Sequence, residues 1–144
     1  MKIATWNIHG IKARLETVKT WLGAASPDIA CFQEIKSVDE GFPSEIFEEL
    51  GYNVAVHGQK GFNGVAILSK LPFDEVIRGL PGDPDDVQSR YIESVFSVPS
   101  GVVRVVDIYL PNGNPTDSEK FSYKLAWMER LKARVKELLS YEEP

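Results

Sequence analysis

Apolar residues in this chain fall mostly into short continuous or alternating runs, with one long stretch at helical spacing near the end. Ile3, Ala4 and Trp6 lie in a first strand over residues 2–6, which runs out into Asn7, Ile8, His9 and Gly10. Ile11, Leu15, Val18, Trp21 and Leu22 follow at the three-and-four spacing of an amphipathic helix, with Gly23 as its stop signal and Ser26-Pro27 as the next turn. Residues 27–34 read as a buried strand that ends in two polar positions, Gln33 and Glu34. A short helix is predicted to follow through Leu50, with Ser44 as N-cap and Gly51 just past its end.

Residues 52–56 and 64–68 have the pattern of hairpin partners joined by the loop 57–63. A further strand is predicted over 73–77, and Pro81, Gly82, Asp83, Pro84, Asp85 and Asp86 mark a loop. Residues 91–98 and 102–110 alternate around the turn Pro99-Ser100-Gly101 as a second hairpin. Thr116 and Glu119 have capping-box spacing, so a helix is predicted to start there. Phe121, Leu125, Met128, Leu131, Val135 and Leu139 then form its apolar stripe, while Lys124, Arg130, Lys132, Arg134 and Lys136 are expected on a solvated face. Such a mixture implies helices packed on mixed, mostly antiparallel sheet.

With 144 residues, 43% of them hydrophobic and 26% charged, the chain suits one domain with a real core. The single cysteine, Cys31, lies in an apolar run. It excludes a disulfide framework, reads as a small buried hydrophobe, and makes a reducing cytoplasm the expected compartment. No apolar run is long enough to span a membrane and no signal peptide is visible. A net charge of −5 argues against broad affinity for nucleic acid, although a local basic cluster or a bound divalent cation would offset it. Neither a Walker sequence nor G-x-G-x-x-G occurs. The chemistry therefore centres on the strand ends, where Asn7 and Glu34 reach one rim as the start of a metal and phosphate site.

Thr5-Trp6-Asn7-Ile8-His9-Gly10 and Phe32-Gln33-Glu34-Ile35-Lys36, taken together, resemble the opening of the exonuclease III family of DNA repair nucleases, within the endonuclease/exonuclease/phosphatase superfamily. Gly51-Tyr52-Asn53-Val54, the segment 57–66 and Asp107-Ile108-Tyr109-Leu110-Pro111-Asn112-Gly113 continue the match in order. The resemblance implies the N-terminal half of a four-layered α/β sandwich, as part of a single domain over 1–144. It implies metal-dependent hydrolysis of DNA phosphodiesters, as an abasic-site endonuclease and 3′→5′ exonuclease acting on double-stranded DNA with Mg²⁺ or Mn²⁺.

On that resemblance Glu34 is a metal ligand, Asn7 belongs to the metal and water network, and Tyr109 is a catalytic hydroxyl that donates to phosphate or acts on the attacking water. Arg90, Lys36, Asn112 and His9 are DNA-contact candidates, and His57 is structural. From the residues alone, Glu34 also reads as a salt-bridge partner, Asn7 as a turn cap and Tyr109 as a core aromatic. The family's Gly-Asp-x-Asn motif, second metal-site aspartate and Asp-His pair do not occur here. The isolated chain is thus expected to be inactive, to expose the inner faces of its sheets, and to have a separate C-terminal half chain as a possible partner. The alternatives are a non-catalytic DNA-binding or assembly module, or a phosphatase or phospholipase of the same superfamily.

Overall fold

A computed structural model describes all 144 residues. Strands β1 (Ile3–Asn7), β2 (Ile29–Gln33), β3 (Asn53–His57) and β4 (Val65–Ser69) form one sheet in the order β1-β2-β4-β3. Strands β5 (Glu75–Arg78), β6 (Tyr91–Val98) and β7 (Gly101–Ile108) form a second sheet in chain order. Only β1 and β2 pair in parallel, and every other pairing is antiparallel. Helix α1 (Ile11–Ala25) makes the crossover between the two parallel strands, α2 (Ser44–Glu49) precedes β3, and α3 (Glu119–Leu139) closes the chain.

Three apolar layers hold this together. Ile11, Val18 and Leu22 of α1 and Phe47 of α2 pack on the outer face of the first sheet, against Ala30, Phe32 and Leu68. Between the sheets lie Ile29, Cys31, Ile67, Ile92 and Phe96. Trp127 of α3 covers Tyr91 and Leu80 on the far side of the second sheet. The expected layering of helix, sheet, sheet and helix is what the chain adopts. Cys31 is buried, and burial pushes its thiol far above the ordinary range, as expected of an inert core residue.

Several local expectations are corrected. Gly23 does not stop α1, because its backbone stays helical with open space around it, and the left-handed Ser26 ends the helix instead by donating its N–H to Leu22. Ser44 is the first helical residue of α2 and not its cap. At α3 the cap is Ser118, whose hydroxyl accepts from the Lys120 N–H, and not Thr116.

The largest correction concerns the faces of α3. Arg134, expected in solvent, is buried and bonded through two nitrogens to the fully buried Glu93, at 2.6 and 2.8 Å. Arg130 likewise bonds Asp86 at 2.6 Å. Leu125, Met128, Val135 and Leu139 of the apolar stripe are exposed instead. Helical spacing identifies the helix but cannot tell which of two apolar arcs meets the sheet. Here the arc carrying Trp127 and Arg134 does so.

Candidate functional site

The parallel pairing of β1 and β2 brings their carboxyl ends to one rim, and backbone bonds carry the pairing past both strands. Ile8 N–H donates to Gln33, Gly10 N–H to Glu34 and Ile11 N–H to Ile35, at 3.1, 2.7 and 3.0 Å. The loop before β4 is laced on as well, through Ile35 N–H to Gly64 O and Lys36 N–H to Asn63 O. Gly64 has to be glycine. Its φ is +91°, and a Cβ there would lie 2.5 Å from the Ile35 side chain. His9, Glu34, Lys36 and Asn63 all hold left-handed backbone, at φ between 48° and 53°. That conformation is uncommon for residues other than glycine, and its clustering at a rim marks a place where side-chain aim outweighs backbone comfort.

Glu34 stands at the centre. Asn7 Nδ2 donates to its Oε1 at 3.1 Å, His9 Nδ1 lies 3.2 Å from Oε2, and Lys36 Nζ is 3.7 Å from the same oxygen. The Tyr109 hydroxyl faces the carboxylate from the end of β7. Burial works to raise the Glu34 pKa, but the Tyr109 hydroxyl, the Asn7 and His9 hydrogen bonds and the Lys36 charge outweigh it and hold it below the ordinary value. Tyr109 moves the other way: burial first, then the Glu34 charge, push it up to about 12 against the pull of Arg90. In this arrangement the phenol keeps its proton at neutral pH and acts as a hydrogen-bond donor, not as a base.

The candidate DNA contacts divide into two groups along the rim. His9 and Lys36 stand beside Glu34, with Lys36 Nζ 3.4 Å from His9 Nδ1. Arg90 and Asn112 line a groove of about 670 Å³ with Gln59, Asn63, Lys120 and Tyr123. Arg90 is braced there, its guanidinium carbon 4.9 Å from the Tyr109 ring centre and 5.8 Å from that of Tyr123, with Nε donating to Gln88. At the tip of the adjoining loop, Phe62 is 72% exposed. His57 is half-buried under its loop, away from Glu34, and burial lowers its pKa.

Sequence reasoning gave no role to Gln33 and Asp107. Gln33 Nε2 donates to Thr5 Oγ1 at 2.9 Å and to Asp107 Oδ1 at 2.7 Å, forming a polar bridge between the two sheets just beneath the rim. The strand alternation that aims Glu34 outward turns Gln33 inward, and that was the only available signal. Asp107 Oδ2 is buried without a partner, and burial drives its pKa well above the usual carboxylate range despite the Gln33 bond.

A pH prediction follows from Asp107. Its unfolded-state proton leaves near ~3.9, whereas the folded protein keeps it to higher pH. Above that point the unfolded state binds fewer protons, so Asp107 costs stability as pH rises until the folded group ionises. Asn cannot ionise, so Asp107→Asn is expected to raise the thermal midpoint at pH 7, by on the order of 1–2 kcal/mol, and to lose most of that gain at pH 4. An equal shift at both pH values in thermal melts would show that ionisation plays no part.

The donors present suit a hard cation held through one carboxylate and its own water, with Asn7 and His9 close by. No cluster of three or more His, Cys, Asp or Glu forms, so a zinc site of four protein ligands is not built. Comparison with known proteins agrees with this rim. Residues 4–142 match the model of the Endonuclease/Exonuclease/phosphatase family. The chain belongs to that family. It is 37% identical over 142 residues to the exodeoxyribonuclease III of Haemophilus influenzae, covering 99% of this chain and 52% of that relative. Among solved structures, it matches a 3′-5′ exonuclease from Neisseria meningitidis with a TM-score of 0.90 and 38% identity, over 97% of this chain and 53% of the other. It matches an AP endonuclease from Archaeoglobus fulgidus with a TM-score of 0.82 and 42% identity, over 91% and 49%. The chain therefore spans about half the length of the relatives it matches. No helix is long and apolar enough to cross a membrane.

Proposed function

We propose that this chain carries one half of the active site of a DNA repair nuclease that hydrolyses phosphodiesters with Mg²⁺ or Mn²⁺, as an abasic-site endonuclease and 3′→5′ exonuclease. The observation that carries this reading is the convergence of Glu34, Asn7 and the protonated Tyr109 on one rim. Glu34 and Asn7 would hold the cation, which when bound supplies Lewis-acid stabilisation of phosphoryl and leaving oxygens.

The protein's own groups have separate tasks. Asn7 fixes the Glu34 carboxylate through Nδ2, and its Oδ1 accepts from the His9 N–H at 3.1 Å, so the amide cannot rotate freely. Tyr109 presents a hydroxyl that donates to a phosphate oxygen, with Arg90 stacked behind the ring to hold its aim. Lys36 and His9 offer a positive flank for one phosphate, and Arg90, Asn112 and Lys120 line the groove beside it. These contacts leave bases unread and suit recognition of backbone and shape. A structural neighbour is titled a 3′ phosphatase from Neisseria bound to a product DNA hairpin. A DNA 3′-phosphomonoester is therefore a second substrate for this site.

The test uses duplex DNA with a single abasic site, in Mg²⁺ with an EDTA control. The 144-residue chain alone is expected to give no turnover. Mixed with the part of the Haemophilus influenzae relative beyond the matched stretch, it is expected to nick the abasic strand. Turnover by the chain alone, abolished in Glu34→Ala, would show the second half to be dispensable. Failure of the mixed and assembled protein to cleave would end the nuclease reading and favour a non-catalytic module.

A further inference from the structure

Strand β7 is an edge strand, paired with β6 on one side only. Tyr109 N–H bonds back to Arg90 in the register of that pair, so alternate residues of β7 turn their backbone groups away from β6. Those residues are Arg104, Val106 and Ile108. One of them is already engaged: Arg104 N–H donates to Pro144 O at 2.8 Å. The side chains anchor the same segment. Arg104 Nη2 lies 2.7 Å from Glu143, and its guanidinium carbon sits 5.4 Å from the Tyr141 ring centre. The chain leaving α3 has thus made the first rung of a ladder on the free edge.

What flanks that edge is apolar and uncovered on both faces. In the first sheet, Ile3 and Thr5 share a face with Ile29 and Cys31, which are buried between the sheets. Yet Ile3 is 50% exposed, because β7 lies opposite β2 and β4 and nothing lies opposite β1. On the other face, Ile108, Leu110, Met128, Leu131, Val135 and Leu139 line an open groove of about 510 Å³ between β7 and α3. Asp107, with its orphaned Oδ2, lies on the inner face of the same strand.

We propose that the free edge of β7 is a docking surface for a β-strand that enters beside Pro144 and runs parallel to β7. This strand bonds Val106 and Ile108, covers Ile3 and Thr5 with one face, and fills the α3 groove with the other. Direction follows from the chain path. Lys124 lies over Gly113 and Arg134 over Glu93, so α3 descends to the start of β7, and only travel along β7 leads from Pro144 to the unpaired amides. That is a strand-helix-strand crossover of the ordinary kind. A strand buried on both faces has to be a continuous apolar run. The occupant is the second-half polypeptide by which the relatives exceed this chain, whose share of their length matches the open surface. This proposal names the partner of the site described above, and its test reads binding alone, so it stands or falls independently of cleavage.

The test combines native mass spectrometry with residue-resolved amide exchange. In the isolated chain, Val106 and Ile108 should exchange fast while Val105 and Asp107, bonded to β6, stay protected. Adding the remaining part of the Haemophilus influenzae relative should give a one-to-one complex and slow exchange at Val106 and Ile108 by at least about tenfold. Ile108→Pro, which removes one edge donor, should weaken the complex by about tenfold. Met128→Glu, at an exposed position where folding is not at stake, should do the same. Absence of a complex, a symmetric dimer that excludes the partner, protection at β3 or β5 instead, or unchanged binding by Met128→Glu would overturn the proposal.

Discussion

Glu34→Gln is expected to lower Mg²⁺-dependent cleavage of abasic duplex by the assembled protein by roughly 10²–10³-fold, with little change in DNA binding measured in EDTA. The substitution keeps the shape of the side chain and its contacts with Asn7 and His9. It removes the one charge at the rim on which a cation depends. Several kcal/mol of transition-state stabilisation supplied through the metal correspond to that loss at ~1.4 kcal/mol for each factor of ten. Tyr109→Phe should be milder, because it deletes one donor and leaves the carboxylate in place. Equal activity of Glu34→Gln and wild type in single-turnover assays would place the metal elsewhere.

The second large effect concerns stability. Glu93 is fully buried in β6, and its carboxylate receives Arg134 through two nitrogens, Arg104 at 3.0 Å and the Tyr91 hydroxyl. Burial alone would raise its pKa, but the Arg134 and Tyr91 hydrogen bonds with the two arginine charges hold it lowered. Glu93→Ala leaves both guanidinium groups without a counter-charge and is expected to cost about 3–5 kcal/mol, a large part of the ~5–15 kcal/mol typical of a domain. Denaturant titration should show this as a lower midpoint. The double variant Glu93→Leu with Arg134→Leu should cost less than the two single changes added together, because it removes charge and counter-charge at once. Since the Glu93 pKa is depressed in the folded protein, its contribution is present above the unfolded value of ~4.3 and is lost as pH falls below it.

These two sites differ in how far the sequence foretold them. The layering was legible because buried strands such as residues 29–33 are unbroken apolar runs, whereas the α1 and α3 segments recur at three and four. Glu34 and Asn7 were legible because each follows such a strand by one step. Tyr109 came from its resemblance motif, since a tyrosine at a strand end is otherwise a core residue. The Glu93–Arg134 pair was not legible. A glutamate inside Tyr-Ile-Glu-Ser-Val-Phe breaks the apolar run without naming its partner, and that partner lies 41 residues away on another element. Nor does any sequence signal assign left-handed backbone to His9, Glu34 and Lys36, because tertiary lacing imposes it. Arg104 and the exposed arc of α3 were misread for one reason: periodicity counts apolar residues and does not say which surface meets them.

The account rests on one cation lying between Glu34, Asn7 and Tyr109, and paramagnetic Mn²⁺ reports that directly. Substoichiometric Mn²⁺ added to the isotopically labelled chain should broaden the Asn7 side-chain amide, the Glu34 backbone amide and the Tyr109 ring signals before any others, and Glu34→Gln should remove the effect. Broadening centred instead on Asp83, Asp85 and Asp86, with those three residues untouched, would contradict it.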